Sequence, residues 1–257
     1  MPFYDNEGVR LFYEEIGEGR PLLLLHGLTS NHQMFYREIG YFQDKFRVIA
    51  LDSRGHGESD RPDEFTLDDH IADAIALLDH LKLSSVYVLG ISMGSYIAQG
   101  LAIRQPERVE KLILAATKSF GEQSSMAEMF DRYEEQLEGM SIAEKLAISS
   151  QLIFHDQKSV NDWQKWIANN SRMLNADEQA AASAALRDFD FRDKLKRITA
   201  ETLVISGKHD RLNPPEKGRE TAVLIPDADY MEFQDSGHAP NVEQDRLFLG
   251  VVEKFLG

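Results

Sequence analysis

Gly90-Ile91-Ser92-Met93-Gly94 lies between an apolar run, Val86 to Leu89, and a helix-like stretch that starts at Ser95. A serine hydroxyl is a poor nucleophile near neutral pH. To do chemistry it must stand clear of the chain on a sharp strand-to-helix turn where a base can reach it. The two glycines lack a β-carbon, so strand and helix can approach closely while Ser92 takes a strained backbone conformation. The helix N-terminus then points its free amides at the reacting group. A Gly-x-Ser-x-Gly string also arises by chance in roughly one sequence of this length in twelve, so the rest of the chain has to decide its meaning.

Val9 to Ile16 and Leu22 to Leu25 read as strands, and Gly17-Glu18-Gly19 between them favours a hairpin. Alternation in the first strand suggests a sheet edge. Leu22 to Leu25, Val48 to Leu51, Val86 to Leu89, Leu112 to Ala115 and Leu203 to Ile205 are apolar on both faces, as central strands covered by helices should be. Thr66 with Asp69 three positions on predicts a helix start, followed by Ile71, Ile75, Leu78 and Leu81 at helical spacing. Tyr96 to Arg104 reads as a helix that stops before Pro106, Pro214-Pro215 precedes a short one, and Val242 to Leu256 closes the chain. This alternation describes an α/β protein with an open, mostly parallel sheet of about eight strands, covered on both faces.

Between residues 118 and 197 no strand is evident and helix follows helix. Ser141 with Glu144 and Asn175 with Glu178 look like helix starts, and Gly139 a stop. Met126, Met129, Phe130, Tyr133 and Leu137 form one apolar stripe; Trp163, Trp166, Ile167 and Leu174 form another. The stripes are expected to pack on one another and on the sheet, with Phe130, Trp163 and Trp166 as candidates for substrate contact. The expected organisation is a core of residues 1–117 and 198–257, with 118–197 as a helical lid inserted before the strand that leads to Asp210.

A serine nucleophile needs a base, and the base needs an orienting acid. The strand Leu203 to Ser206 runs into Gly207-Lys208-His209-Asp210, and Tyr230 to Phe233 into Asp235-Ser236-Gly237-His238. Loops at the carboxyl ends of strands in an open α/β sheet share one edge, so Ser92, Asp210 and His238 can meet there. The expected reaction has His238 take the Ser92 proton during attack on a carbonyl, with Asp210 holding the imidazole. An oxyanion hole is expected from the backbone amides of Met93, directly after the nucleophile, and Leu28, in the loop His26-Gly27-Leu28-Thr29. His26 is expected to brace that loop. No cofactor is implied. The eight histidines include no His-Glu-x-x-His pair and no cluster with ligand spacing, so no metal site is expected.

Acidic residues outnumber basic ones by 43 to 28 in 257 residues, a formal charge of −15 that repels a phosphate backbone or an anionic membrane. Neither nucleic acid nor membrane is an expected partner, and a homodimer is left open. Absence of cysteine suits a reducing compartment. Met1 to Arg10 lacks the features of a signal peptide, and no apolar run approaches the ~18 residues of a membrane span, so a cytoplasmic location is expected.

Together, His26-Gly27, the elbow, the order Ser92, Asp210, His238, and Asp52-Ser53-Arg54-Gly55-His56-Gly57-Glu58-Ser59 resemble the α/β-hydrolase superfamily over nearly the whole chain. Within it the chain resembles small carboxylesterases and the 3-oxoadipate enol-lactonase-like group. That resemblance implies cleavage of a small ester or lactone through an acyl-enzyme, and structural roles for Asp52, Arg54 and the glycines of their loop. The chain departs from the group at three places: Phe35 stands where a Trp is common, which bears on the acyl pocket, Ser95 where a third glycine is, and Glu201 where a Pro is. A serine at position 92 disfavours relatives with an aspartate nucleophile, and Ala239 after His238 departs from the carbon-carbon bond hydrolases of ring-fission products, which commonly carry Trp there. A ligand sensor with slow turnover, signalling through the lid, is the reading from another class.

Overall fold

The computed structural model describes residues 2–257 and their side chains, except those of Ile142, Ala143, Leu146 and Ala147. Strands β1 (Phe3–Asn6), β2 (Val9–Ile16), β3 (Arg20–Leu25), β4 (Phe46–Leu51), β5 (Val86–Ile91) and β6 (Val109–Ala115) precede a two-residue pair, β7 (Phe120–Gly121) and β8 (Phe189–Asp190); β9 (Glu201–Gly207) and β10 (Ala228–Phe233) follow. Eight of them form one sheet in the order β1-β2-β4-β3-β5-β6-β9-β10, antiparallel only where β2 meets β1 and β4.

The side chains of the central strands divide by parity between two cores. Leu23, Leu25, Val86, Val88, Leu112 and Leu114 face helices α2 (Leu67–His80) and α3 (Met93–Arg104), with α8 (Pro215–Leu224) beyond. Leu22, Leu24, Leu89, Ile91, Ile113 and Ile205 face α1 (Tyr36–Phe42) and α10 (Asp245–Leu256). Two-sided burial is the reason these strands read as continuous apolar runs. The closing helix is two: α9 (Pro240–Glu243) and α10 meet at Gln244, whose backbone is not helical.

The hairpin expected at Gly17-Glu18-Gly19 does not form. β4 lies between β2 and β3, with Tyr13 opposite Leu51 and Ile16 opposite Val48, while β3 runs parallel to β4 and β5. A strand of four leucines loses most by exposing a face, so it sits in the sheet interior. Gly17, with φ 83°, passes so close to the carbonyls of Gln43 and Phe46 that a Cβ would collide with both. The real hairpin joins β1 to β2 through Glu7 and Gly8, both at positive φ, and β1 takes the edge expected of β2.

From β6 to β9 the chain forms α4 (Ser125–Arg132), α5 (Ile142–Ile153), α6 (Gln157–Asn170) and α7 (Ala176–Ala184). Both expected capping boxes are present, Ser141 with Glu144 and Asn175 with Glu178. The β7–β8 ladder, Phe120 opposite Asp190 and Gly121 opposite Phe189, ties the ends of this segment together where the sequence showed no strand. Two residues are too few to carry an alternating pattern. Among the described residues no helix is long and apolar enough to cross a membrane.

Candidate active site

β5 ends at Ile91 and α3 begins at Met93, leaving Ser92 alone in the turn with φ 54° and ψ −120°. The two glycines make that turn possible. A Cβ on Gly90 would run into the backbone of Gly94, and one on Gly94 into the carbonyl of Leu25 at the end of β3. Ser92 N donates to Ala115 O at 2.9 Å, and Ser95 N to Ser92 O at 2.8 Å. The Ser95 hydroxyl adds a bond to Ser92 O, 2.6 Å, and lies 2.7 Å from Thr117 Oγ1. The residue at the third-glycine position thus ties the elbow down.

Ser92, His238 and Asp210 form one hydrogen-bonded row. His238 Nε2 lies 2.9 Å from Ser92 Oγ, and His238 Nδ1 lies 2.7 Å from Asp210 Oδ2. A carboxylate only accepts, so Nδ1 carries the hydrogen and Nε2 turns its lone pair to the hydroxyl. The other oxygen of Asp210 accepts the amides of Leu212 (2.8 Å) and Asn213 (2.9 Å), which fixes the carboxylate plane. The Asp210 side chain has no exposure and that of His238 11%, so the pair works in a medium where water screens it little.

The loop after β3 runs against the elbow: a Cβ on Gly27 would sit 3.6 Å from Ser92 Cβ. Gly27 N donates to Met34 Sδ at 3.4 Å, and Gly27 O accepts from Ser30 N. The next amide, that of Leu28, has no acceptor among the described residues. Met93 is the first residue of α3, where amides lack an intrahelical partner. His26 is fully buried and accepts from Ser53 N at 3.0 Å through Nε2, while Nδ1 donates to Gly27 O at 2.8 Å. Burial pushes its pKa down, so the ring is a neutral brace between two loops. His56 beside it is pushed down to about 3, again by burial first. Asp52 gathers the His32 and Glu58 amides and the His32 ring, and Arg54 grips Asp73 through two bonds of 2.6 and 2.7 Å.

Of the candidates for substrate contact, Phe35 is fully buried in the apolar cluster beneath α1. Trp163 is buried and donates from Nε1 to Met34 O at 3.2 Å, while Trp166 stacks on Tyr36 at 4.1 Å. Both tryptophans place α6 over the segment that follows the Leu28 loop. Phe130 is half-buried on α4. Sequence reasoning misses Asn213, whose side chain donates to Tyr96 Oη and Ala116 O, both 2.7 Å, and accepts from Ser125 Oγ at 2.9 Å. These partners are far apart in the chain, and Asn213 carries no local signal beyond following Asp210.

The alpha/beta hydrolase fold family model matches residues 20–245. A 3-oxoadipate enol-lactonase of Acinetobacter baylyi is 33% identical across 96% of this chain and 93% of its own. A 2-hydroxy-6-oxo-6-phenylhexa-2,4-dienoate hydrolase of Comamonas testosteroni is 31% identical, covering 96% of this chain and 91% of its own. Among solved structures, an esterase from Exiguobacterium antarcticum superposes with a TM-score of 0.83 at 27% identity, over 97% of this chain and 96% of that one.

Proposed function

This chain belongs to the α/β-hydrolase fold family, and we propose on that premise that it cleaves a small carboxylic ester or lactone as a serine hydrolase. The observation that carries the reading is the row Ser92 Oγ, His238 Nε2, His238 Nδ1, Asp210 Oδ2, set at a strained elbow. His238 accepts the Ser92 proton as Oγ attacks the carbonyl, and Asp210 stabilises the imidazolium and keeps its orientation. The negative charge that develops on the carbonyl oxygen falls to the Leu28 and Met93 amides: Met93 follows Ser92 directly, Gly27 before Leu28 lies against Ser92, and the Leu28 amide has no other acceptor among the described residues, which supports that role. His238 then protonates the leaving alkoxide, activates water against the acyl-enzyme, and releases the acid. The helical segment above the strand ends acts as the lid that selects the acyl group. Relatives that act on lactones, esters and ring-fission products share the fold; Ala239 after His238 favours the ester or lactone reading over the carbon-carbon one.

Ser92→Ala should lower turnover of an aryl ester by roughly 10⁴-fold or more and abolish labelling by an organophosphonate, with an unchanged melting temperature. A labelled, active mutant would remove Ser92 from the mechanism. Wild-type turnover of ~1 per second or faster separates an enzyme from a slow sensor.

A further inference from the structure

The loop that carries His238 is fastened by a side chain outside the row of reacting groups. Glu243, the last residue of α9, folds back so that Oε1 accepts the amides of Gly237 and Ala239, on either side of His238, each at 3.0 Å. The Ser236 hydroxyl lies 3.5 Å from the same oxygen. Oε2 accepts the amides of His155 and Asp156 at 2.6 and 2.8 Å, in the turn between α5 and α6. The amide of His238 donates to Ile153 O at 2.8 Å. Three successive amides around the base and two in the helical segment are therefore held by one carboxylate and one carbonyl.

The two loops meet closely. A Cβ on Gly237 would collide with the Ile153 carbonyl and lie 2.9 Å from Phe154 Cα. The His155 ring stacks on that of His209, the residue before Asp210, with centroids 4.1 Å apart and 11° between planes. Asp156 in turn caps α6 by accepting the Lys158 and Ser159 amides, 3.1 Å each. One side chain thus links the base loop to the start of the helix whose Trp163 reaches Met34.

Resting on the serine-hydrolase reading, we propose that Glu243 is a positioning residue: it aims His238 at Ser92 and couples that aim to the seating of the α5–α6 turn. It touches no reacting atom. Its effect comes from geometry, since a base displaced by a fraction of an ångström loses its hydrogen bond to the nucleophile and with it much of the rate. The chemistry also requires a carboxylate. Each of its oxygens has lone pairs for one pair of amides, whereas a glutamine amide accepts at one end and turns its own N–H groups on the other pair.

The test is hydrolysis of p-nitrophenyl acetate by wild type, Glu243→Gln and Glu243→Ala, with organophosphonate labelling of the wild type alongside. The expected result is a kcat roughly 10-fold lower in the glutamine variant and roughly 100-fold lower in the alanine variant, with KM within about threefold of wild type. Faster hydrogen exchange is expected at the amides of residues 155, 156, 237 and 239 in the alanine variant. A folded alanine variant with kcat within about twofold of wild type overturns the proposal, as does an effect confined to KM. If the alanine variant does not fold, the isosteric glutamine variant decides, and full wild-type kcat there overturns the proposal. A wild type that neither turns over nor labels overturns the serine-hydrolase reading and this proposal with it; an active wild type with indifferent variants overturns the proposal alone.

Discussion

Ser92 sits at φ 54°, a region that side chains enter only when their surroundings force them, at a cost of ~1–3 kcal/mol. Its two glycines absorb the crowding, so the strain falls on the residue that must project. Glu38 shows another kind of residue-scale tension. It is buried on the inner side of α1, in the first turn of that helix, with Asn241 Nδ2 donating to Oε1 at 2.9 Å, and burial pushes its pKa up to about 7 despite that bond. The Oδ1 of Asn241 is also buried and has no donor among the described residues, so a proton on Glu38 suits the pair better than a negative charge. In the unfolded chain Glu38 ionises near 4.5. Between that pH and about 7 the unfolded state releases a proton that the folded state keeps. Stability therefore falls as pH rises through this window, by about 3 kcal/mol from this group, and the loss levels off above it. Glu38→Gln should remove the trend. Urea unfolding of both proteins from pH 5 to 8 checks it, and a constant difference between them would mean that Glu38 is charged throughout.

At the scale of elements, α2, like α5 and α7, has a start that the sequence states outright. Thr66 Oγ1 accepts from Asp69 N at 3.2 Å, and the Asp69 carboxylate accepts from Thr66 N at 2.8 Å. Such a box is built from residues three positions apart and needs nothing from the rest of the fold, which is why it can be read directly. Thr66→Ala should cost about 1 kcal/mol in urea unfolding and leave kcat unchanged, because the Thr66 side chain bonds within the box and touches no reacting group, while α2 as a whole packs on α3. A drop in kcat would mean that α2 transmits to the elbow through that packing. The contact is close: a Cβ on Gly100 of α3 would run into Ile71 Cδ1 of α2. The closing helix is the opposite case. Its apolar period runs on from Val242 to Leu256, yet the chain turns at Gln244, and this break lets Glu243 face back to the His238 loop.

At the scale of the molecule, the helical segment between β6 and β9 is attached at several separate points. Ser125 bonds to Asn213, the α5–α6 turn to Glu243, and Trp163 to Met34. Trp163→Phe keeps an aromatic ring in the core but removes the indole donor and part of the buried ring volume, leaving the Met34 carbonyl without that donor. The expected cost is about 1–3 kcal/mol in the seating of α6, seen as faster hydrogen exchange across residues 157–170 with the sheet amides unchanged. Exchange that rises equally everywhere would mean that the segment and the sheet open as one unit, against the division of the chain into core and lid.

What could be read from the chain was local or periodic. Two-sided apolar runs placed the central strands in the sheet interior. Caps marked helix starts, two glycines marked the elbow, and the ends of two strands put an acid and a base on the edge where Ser92 lies. What only the tertiary structure decided was pairing. β4 separates β2 from β3, β1 takes the edge, Asn213 reaches Tyr96, and Glu243 gathers amides from two loops far apart in sequence. The physical reason is that burial leaves its period in the residues of one segment, whereas a hydrogen bond between distant segments requires only that some donor meet some acceptor. Almost any backbone amide can serve, so nothing in the local sequence marks the partner.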